Sequence, residues 1–300
     1  MVCLITGAAG MMGSHLYETL LSHGQEVIPT YHKPTIDSRD KILDDITVTL
    51  DVLDKSNIRR VLSKYQPSVI YHLAAQSRPD VSFEDPIHTL TTNVIGTSNL
   101  LDCCAELNLN PLFINASSSA VYGDIDWSTP PDEDRYCNPL SPYGTSKLSQ
   151  EHVVRNYHQM YGIDYVNIRI FNCTGPRKTN DFVSDMCKRV VNEEFPIKVG
   201  NLNGVRSIID VRDLTEALYL CQNIKNETIN LGSSVSLRIS DVFKKIVGDH
   251  DYYIDDSLLR PTDEPIIIGN IDKAKNILSW TPKISLEKTI SDTLDYWKNL

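Results

Sequence analysis

The chain has 300 residues, 41% of them hydrophobic and 23% charged, an ordinary composition for a globular protein of one or two domains. Its formal net charge of −10 disfavours a general nucleic-acid or anionic-membrane surface, so neither partner is expected. No apolar run approaches the ~20 residues of a membrane span, and the start lacks the basic region of a signal peptide. Seven cysteines without a C-x-x-C pair favour reduced thiols, a cytoplasmic location and no metal site.

The first part of the chain alternates between strand-like and helix-like segments. Short apolar runs predict strands at VCLIT, EVIPT, SVIYHLA, PLFINAS and DYVNIRIF, in that order. Segments of helical periodicity between and after them predict helices at 11–24, 54–65, 85–107 and 141–162. This β-α-β-α order is typical of an α/β fold, a Rossmann-type doubly wound parallel sheet with helices on both faces.

Beyond Phe171 the alternation loosens. A loop at 172–181 and a helix at 182–194 are predicted, after which SIID, DLTEALYLCQN and TINLG are expected to return to the sheet. From Val235 onward, short helices and loops indicate a smaller C-terminal α/β lobe. We therefore predict a cofactor-binding Rossmann domain and a substrate lobe, with a ligand crevice between them. The domain comprises 1–172 and 205–233, and the lobe comprises 173–204 and 234–300.

The stretch TGAAGMMGSHL follows the first predicted strand and places three glycines at intervals of three. Gly7 stands where the chain must turn, Gly10 where the backbone would approach a ligand, and Gly13 one turn into the helix, with Met11 and Met12 between the last two. A helix N-terminus with small residues suits a cofactor diphosphate. A glycine-rich turn without a ligand is the alternative, and the strand before and helix after it favour binding.

The end of the second predicted strand bears on the choice of cofactor. Dinucleotide-binding folds that use NAD carry an acid there for the ribose 2′-hydroxyl. This chain instead has Tyr31, His32 and Lys33, without a carboxylate. These residues would tolerate a 2′-phosphate, so NADP(H) is favoured over NAD(H), although Lys33 as an ordinary solvated lysine is the alternative.

Tyr143 and Lys147 stand four residues apart and therefore lie on one face of a predicted helix. Ser118 lies where the strand PLFINAS ends, at the edge where such sheets bind ligands. A tyrosine of pKa ~10 exchanges protons poorly near neutrality, but a neighbouring ammonium lowers that pKa. Tyr143 could then donate a proton to a carbonyl oxygen held by Ser118, while hydride reaches the carbonyl carbon. Lys147 could also contact the nicotinamide ribose.

Taken together, these motifs resemble the extended short-chain dehydrogenase/reductase family, in its nucleotide-sugar epimerase/dehydratase branch. The stretches that carry the resemblance run nearly from end to end: TGAAGMMGSHL, LDVLD, HLAAQS, NVIGTSNLL, SSSAVYG, YGTSK, RIFNCTGP and GVRSIIDVRDL. The resemblance implies Ser118, Tyr143 and Lys147 as the catalytic set. It implies further cofactor contacts from Asp51, Val52, Leu73, Ala74, Ala75 and Ile170. It also implies contacts to a nucleotide-diphosphate sugar from Ser118, Ser119, Asn172, Arg206 and Arg260, with the arginines neutralising the diphosphate.

One departure from the family pattern bears on the reaction. Ala120 stands where 4,6-dehydratases of this branch usually carry an acid, and where epimerase/reductases of fucose nucleotides carry a cysteine. Alanine cannot move protons, so the resemblance implies hydride and proton exchange at a single carbon.

The remaining interpretation is NADPH-dependent reduction of a 4-keto sugar. GPRKTNDFVSD, VGNLNGVRSIIDVRDL and RPTDEPIIIGNIDKAK are similar to the GDP-mannose 4,6-dehydratases and GDP-4-keto-6-deoxymannose reductases, which favours a GDP-sugar. An NAD-dependent 4-epimerase, a dehydratase with a different acid/base and a non-catalytic NADP-binding regulator remain as alternatives. The resemblance also implies a homodimer built on the helix at 86–107 and the helix carrying Tyr143.

Overall fold

The computed structural model describes residues 1–258 and 266–300, in which the chain forms fourteen strands and eleven α-helices. The strands are β1 Val2–Thr6, β2 Glu26–Tyr31, β3 Val48–Thr49, β4 Val69–His72, β5 Leu112–Ser118, β6 Tyr165–Ile170, β7 Cys173–Thr174, β8 Ile197–Val199, β9 Val205–Ser207, β10 Ile209–Asp210, β11 Glu227–Leu231, β12 Ser236–Arg238, β13 Tyr252–Ile254 and β14 Ile266–Ile267. The helices are α1 Met11–Ser22, α2 Lys55–Tyr65, α3 Pro79–Glu84, α4 Pro86–Leu90, α5 Gly96–Glu106, α6 Pro142–Tyr161, α7 Phe182–Val191, α8 Val211–Leu220, α9 Ile239–Val247, α10 Asp272–Leu278 and α11 Leu286–Asn299.

Seven strands form one sheet in the order β11-β6-β5-β4-β1-β2-β3. Every pairing within it is parallel. The order reverses at β1, since the chain proceeds from β1 through β2 to one edge and from β4 through β6 to the other. This is the predicted Rossmann-type α/β fold, and it brings the carboxyl ends of β1, β4, β5 and β6 to one edge of the sheet.

The sheet is buried on both faces because its strands are apolar at almost every position. Side chains alternate in direction along a strand, so Cys3 and Ile5 join one core cluster while Leu4 joins the other. Helices α1, α8 and α10 pack on the first face, and α2, α5 and α6 pack on the second. The two layers of helices leave the carboxyl edge of the sheet as the place for a ligand.

The predicted helix at 85–107 is present but is not regular. It begins at Pro86 and ends at Glu106, and a π-helical turn at Thr91–Ile95 separates α4 from α5. The preceding helix α3 was not predicted. Hydrophobic periodicity did not reveal this wider turn, because the segments on either side of it are too short to show that the apolar face has rotated.

The prediction for SIID was wrong, since this segment does not join the main sheet. Its last two residues form β10, which pairs in parallel with β7 within the predicted loop at 172–181. Ser207 ends β9, which lies between β12 and β14 in a separate three-stranded sheet. The predicted return to the main sheet occurs only at β11, which pairs with β6.

The C-terminal part is more regular than the predicted mixture of short helices and loops. Helix α11 extends over fourteen residues and packs with α7 and α9 around a third apolar cluster that includes Met186, Phe243 and Trp297. Strands β8 and β13 pair in parallel beside it. Within the described part of the chain, no helix has the length and apolarity to cross a membrane.

Candidate active site

The glycine loop lies between β1 and α1 and is tightly confined. Gly7 has a φ of +74°, and a Cβ on it would lie 2.9 Å from the backbone nitrogen of Ala74. A Cβ on Gly13 would lie 2.3 Å from the carbonyl oxygen of Gly7, so a larger residue would displace the backbone. Gly10 caps α1 without a side chain, and the helix N-terminus therefore offers its N–H groups to an anion. A close-packed turn followed by a helix N-terminus is what we expect of a loop that binds a cofactor diphosphate.

The other predicted cofactor residues lie around this loop. Leu73, Ala74 and Ala75 follow β4, and the N–H of Ala74 donates to Thr6 Oγ1 at 3.1 Å. Ile170 ends β6, at the same edge of the sheet. Met11 and Val52 are buried, and five further predicted residues are partly buried against the core: Met12, Tyr31, Leu73, Ala74 and Ile170.

The structure places a carboxylate at the end of β2 that the linear sequence does not show there. Asp51 follows β3, the neighbour of β2, and its Oδ2 lies 3.1 Å from His32 Nδ1. Its Oδ1 accepts the N–H of Leu53 at 2.9 Å. His32 and Lys33 are exposed, and Tyr31 is half-buried. Strand pairing thus gives His32 an acidic neighbour nineteen positions along the chain.

Ser118, Tyr143 and Lys147 are brought together at the carboxyl end of β5. Tyr143 is 9% exposed, and its phenol lies near the side chain of Ser118, which acts to lower the pKa of the phenol. Lys147 Nζ donates to the carbonyl oxygen of Ala116 at 2.8 Å and lies 5.9 Å from the centre of the Tyr143 ring. The lysine therefore approaches the tyrosine from within the protein, whereas Ser118 meets the phenol at the strand end.

Burial controls the protonation of both α6 side chains. It raises the pKa of Tyr143, and the contact with Ser118 acts in the opposite direction. Burial also lowers the pKa of Lys147 to about 7, while the negative charge of Glu151 opposes that change. The site thus combines a phenol that needs a positive charge to release its proton with an ammonium that titrates near neutrality.

Sequence reasoning missed the polar side chains that hold α6 in position. Asn93 lies in the π-helical turn, and its Nδ2 donates to Ser146 Oγ at 2.8 Å and to the carbonyl oxygen of Gln76 at 3.0 Å. Asn93 Oδ1 accepts the N–H of Gln76 at 2.8 Å. One amide therefore links α6 to the segment after β4. The stretch NVIGT contains this asparagine, but nothing in its spacing shows where the side chain points.

Two of the predicted substrate residues lie close together. Asn172 Nδ2 donates to the carbonyl oxygen of Ser207 at 3.1 Å, and Ser207 follows Arg206 on β9. Ser119 begins a short 3₁₀ turn directly after β5. Arg260, also predicted to contact the substrate, lies outside the described residues. Among the described residues, no cluster of three or more His, Cys, Asp or Glu could hold a metal ion.

The fold and this edge of the sheet define a class of protein. A Rossmann sheet with a glycine-rich first turn, and a Ser-Tyr-Lys set at the end of β5, is the arrangement of the extended short-chain dehydrogenase/reductases, in their nucleotide-sugar branch. The sequence profile of the family described as GDP-mannose 4,6 dehydratase matches residues 4–293. The chain belongs to this family.

Individual relatives carry two kinds of name. The GDP-mannose 4,6 dehydratase of Dictyostelium discoideum is 30% identical and aligns over 99% of this chain and 97% of its own. The putative UDP-glucose 4-epimerase of Methanocaldococcus jannaschii is 29% identical over 99% and 98%. The crystal structure of the Thermus thermophilus UDP-glucose 4-epimerase with NAD superposes with a TM-score of 0.90, at 28% identity and 99% coverage of both chains. The chain is thus an enzyme of the nucleotide-sugar dehydratase and epimerase class.

Proposed function

We propose that the chain reduces the C4 keto group of a nucleotide-diphosphate 4-keto-6-deoxyhexose with NADPH. A bound nicotinamide supplies the hydride. Tyr143 donates its hydroxyl proton to the ketone oxygen, and Ser118 holds that oxygen with a second hydrogen bond. Lys147, when charged, favours the tyrosinate that remains, and solvent returns the proton.

The observation that carries the proposal is the position of Ser118, Tyr143 and Lys147 together at the carboxyl end of β5, with the buried Lys147 Nζ 5.9 Å from the centre of the phenol ring. This set can transfer one proton at one oxygen. Removing water from the sugar would require a further acid/base, and Ala120 provides none at the position after Ser119. The carboxylate of Glu151 does not replace it, since it is 0% exposed and accepts hydrogen bonds from Ser117, Arg155 and Arg169.

The end of β2 supports NADPH over NADH. Asp51 is the carboxylate at this end of the site that could replace the acid that holds a ribose 2′-hydroxyl. Its Oδ2 already contacts His32 Nδ1, and its Oδ1 accepts the N–H of Leu53. His32 and Lys33 offer donors to a 2′-phosphate from the surface. The glycine loop fits the diphosphate of either cofactor, so the selection rests on this end of the site.

Two further features support a nucleotide-sugar substrate and a homodimer. Asn172 bonds to the residue after Arg206, which supports a shared contact of the two with a diphosphate sugar, and the relatives named for GDP-mannose favour a GDP-sugar. Helix α4 exposes Ile87, the π-helical turn after it exposes Ile95, and α6 exposes Met160, which supports a homodimer formed through this surface. All seven cysteines are free thiols, in keeping with a cytoplasmic enzyme.

A second candidate is an NAD-dependent 4-epimerase that oxidises and re-reduces one carbon. The observation that favours it is the TM-score of 0.90 to a UDP-glucose 4-epimerase crystallised with NAD, together with the Methanocaldococcus relative. The same Ser-Tyr-Lys set would serve both reactions. They differ in that an epimerase consumes no cofactor in net turnover, whereas a reductase consumes one NADPH for each sugar.

The test is NADPH consumption with GDP-4-keto-6-deoxymannose, and conversion of UDP-glucose and of GDP-mannose by chromatography. The wild type should consume NADPH only with the keto sugar. Tyr143→Phe should lower kcat by roughly 10²–10⁴-fold, because the proton donor is lost. Tyr161→Phe, an exposed tyrosine on the same helix, is the matched control and should keep the wild-type rate. Equal rates for Tyr143→Phe and wild type would refute the proposed proton donor, and epimerisation without net NADPH loss would establish the second candidate.

A further inference from the structure

A buried ion pair lies one helical turn beyond Lys147. Glu151 is 0% exposed, and the side chain of its partner Arg169 is 4% exposed. Glu151 Oε1 accepts hydrogen bonds from Ser117 Oγ at 2.6 Å and Arg169 Nε at 3.0 Å. Its Oε2 accepts from Arg169 Nη2 at 2.9 Å and Arg155 Nη2 at 3.1 Å. A carboxylate with four donors, three of them on guanidinium groups, is held in one orientation.

The strands beneath α6 fix where this anion lies. Ser117 on β5 and Arg169 on β6 are directly opposite each other in the sheet, and Glu151 reaches both from the helix above. Lys147 reaches Ala116, the residue before Ser117, with a bond of 2.8 Å. The ammonium and the carboxylate are therefore anchored to consecutive residues of one strand and lie four positions apart on one helix.

The charge on Lys147 depends on its surroundings, because the side chain is 3% exposed. The groups that face the ammonium are Tyr143 and Glu151 on its own helix and His72 on β4. Arg169 on β6 lies beyond Glu151 and bonds to its carboxylate. His72 is neutral near pH 7, since burial and the charge of Lys147 lower its pKa to about 3. Burial opposes the ammonium, and Glu151 is the neighbour whose charge supports it.

We propose that Glu151 is a positioning residue, which keeps the Lys147 side chain charged beside Tyr143. It touches neither the reacting carbon nor the cofactor, and it acts only through Lys147. Arg169 and Ser117 hold the carboxylate in the orientation that this role requires. The inference rests on the proposed function for its catalytic consequence, but the charge of Lys147 can be measured without any substrate.

The direct test is titration of Lys147 by NMR in protein carrying ¹³C-labelled lysine, with its signal assigned by its loss in Lys147→Arg. Glu151→Gln should lower the pKa of Lys147 by about one unit or more, because the supporting charge is removed. Glu151→Asp restores the charge and should recover part of that shift. Arg155→Gln is the matched control, since it removes one donor from the Glu151 carboxylate and leaves the carboxylate charged. It should change the pKa of Lys147 by less than half as much as Glu151→Gln does.

Glu151→Gln also leaves Arg169 buried without a carboxylate, so the variant could fail to fold. Glu151→Gln/Arg169→Gln removes both charges, and circular dichroism reports whether it folds. In either variant, the pH above which kcat falls should move down together with the Lys147 titration, while KM for the sugar stays near its wild-type value. An unchanged Lys147 titration in the folded variants would overturn the proposal. If the Lys147 titration shifts in the variants but the wild type does not reduce the keto sugar, the proposed function is overturned, whereas the effect of Glu151 on the charge of Lys147 is confirmed.

Discussion

Replacing Lys147 with methionine should make the dependence of protein stability on pH smaller. Lys147 has a pKa of about 7 in the folded protein, against 10.5 for an unburied lysine. The unfolded chain therefore binds a proton at this residue more tightly than the folded one, and folding stability rises with pH between the two values. Each unit of difference is worth about 1.4 kcal/mol, so the buried ammonium costs about 5 kcal/mol wherever both states are protonated.

The measurement is urea denaturation of wild type and Lys147→Met at a series of pH values. Titratable groups shared by the two proteins cancel in the difference between their free energies of unfolding. This difference should change by about 3 kcal/mol between pH ~7 and pH ~10, in favour of the wild type at the higher pH. At neutral pH the variant loses the bond to the Ala116 carbonyl, worth about 1–3 kcal/mol. It also avoids the larger cost of the buried ammonium, so it should be the more stable protein at that pH.

The matched control is Lys298→Met, because Lys298 is exposed near the end of α11. Its difference from wild type should not vary with pH over the same range. Lys147→Met should also lose the proposed ketoreductase activity, which would make the lysine an example of stability given up for function. Parallel stability curves for wild type and Lys147→Met would refute the reasoning, since they would mean that burial does not alter the lysine's protonation.

Three further predictions concern the cofactor site and the interior. Gly13→Ala should weaken NADPH binding about tenfold or more in a fluorescence titration, because the added methyl would lie 2.3 Å from the Gly7 carbonyl oxygen; an unchanged Kd would contradict this. Lys33→Asp should shift the ratio of kcat/KM values towards NADH by roughly tenfold, by replacing a phosphate partner with a repelling charge; an unchanged ratio would place the 2′-phosphate elsewhere. Tyr122→Phe removes the hydroxyl that donates to Asn230 Oδ1 at 2.7 Å and should cost about 1–3 kcal/mol in urea denaturation, whereas an unchanged midpoint would show the bond to be dispensable.

The parts of the fold that were predictable are those specified by neighbouring residues. Continuous apolar runs identified β1, β4, β5 and β6, because strands buried on both faces contain few polar residues. The helical spacing of Tyr143 and Lys147 indicated one shared face before any tertiary contact was known. The three-stranded sheet around β9 was not predicted, because its pairing with β12 and β14 joins short segments that are distant in sequence.

The candidate site likewise contains residues that local motifs predicted and contacts that only the tertiary structure revealed. The glycine loop and the positions of Ser118, Tyr143 and Lys147 follow from motifs that each span only a few residues. The contact of His32 with Asp51 and the bonds of Asn93 follow from strand pairing and from a π-helical turn. No local pattern encodes either of them, since each joins segments whose separation is set by the chain path.

By itself, the sequence determined the order of the main-sheet strands β1, β2, β4, β5, β6 and β11, the glycine-rich turn after β1, and the serine, tyrosine and lysine of the candidate site. These depend on interactions between residues close along the chain. The tertiary structure alone decided that Arg169 holds Glu151, the charged neighbour one helical turn from Lys147. Glu151 and Arg169 are eighteen positions apart, and they meet only because α6 packs across β5 and β6 and excludes water from the space between them.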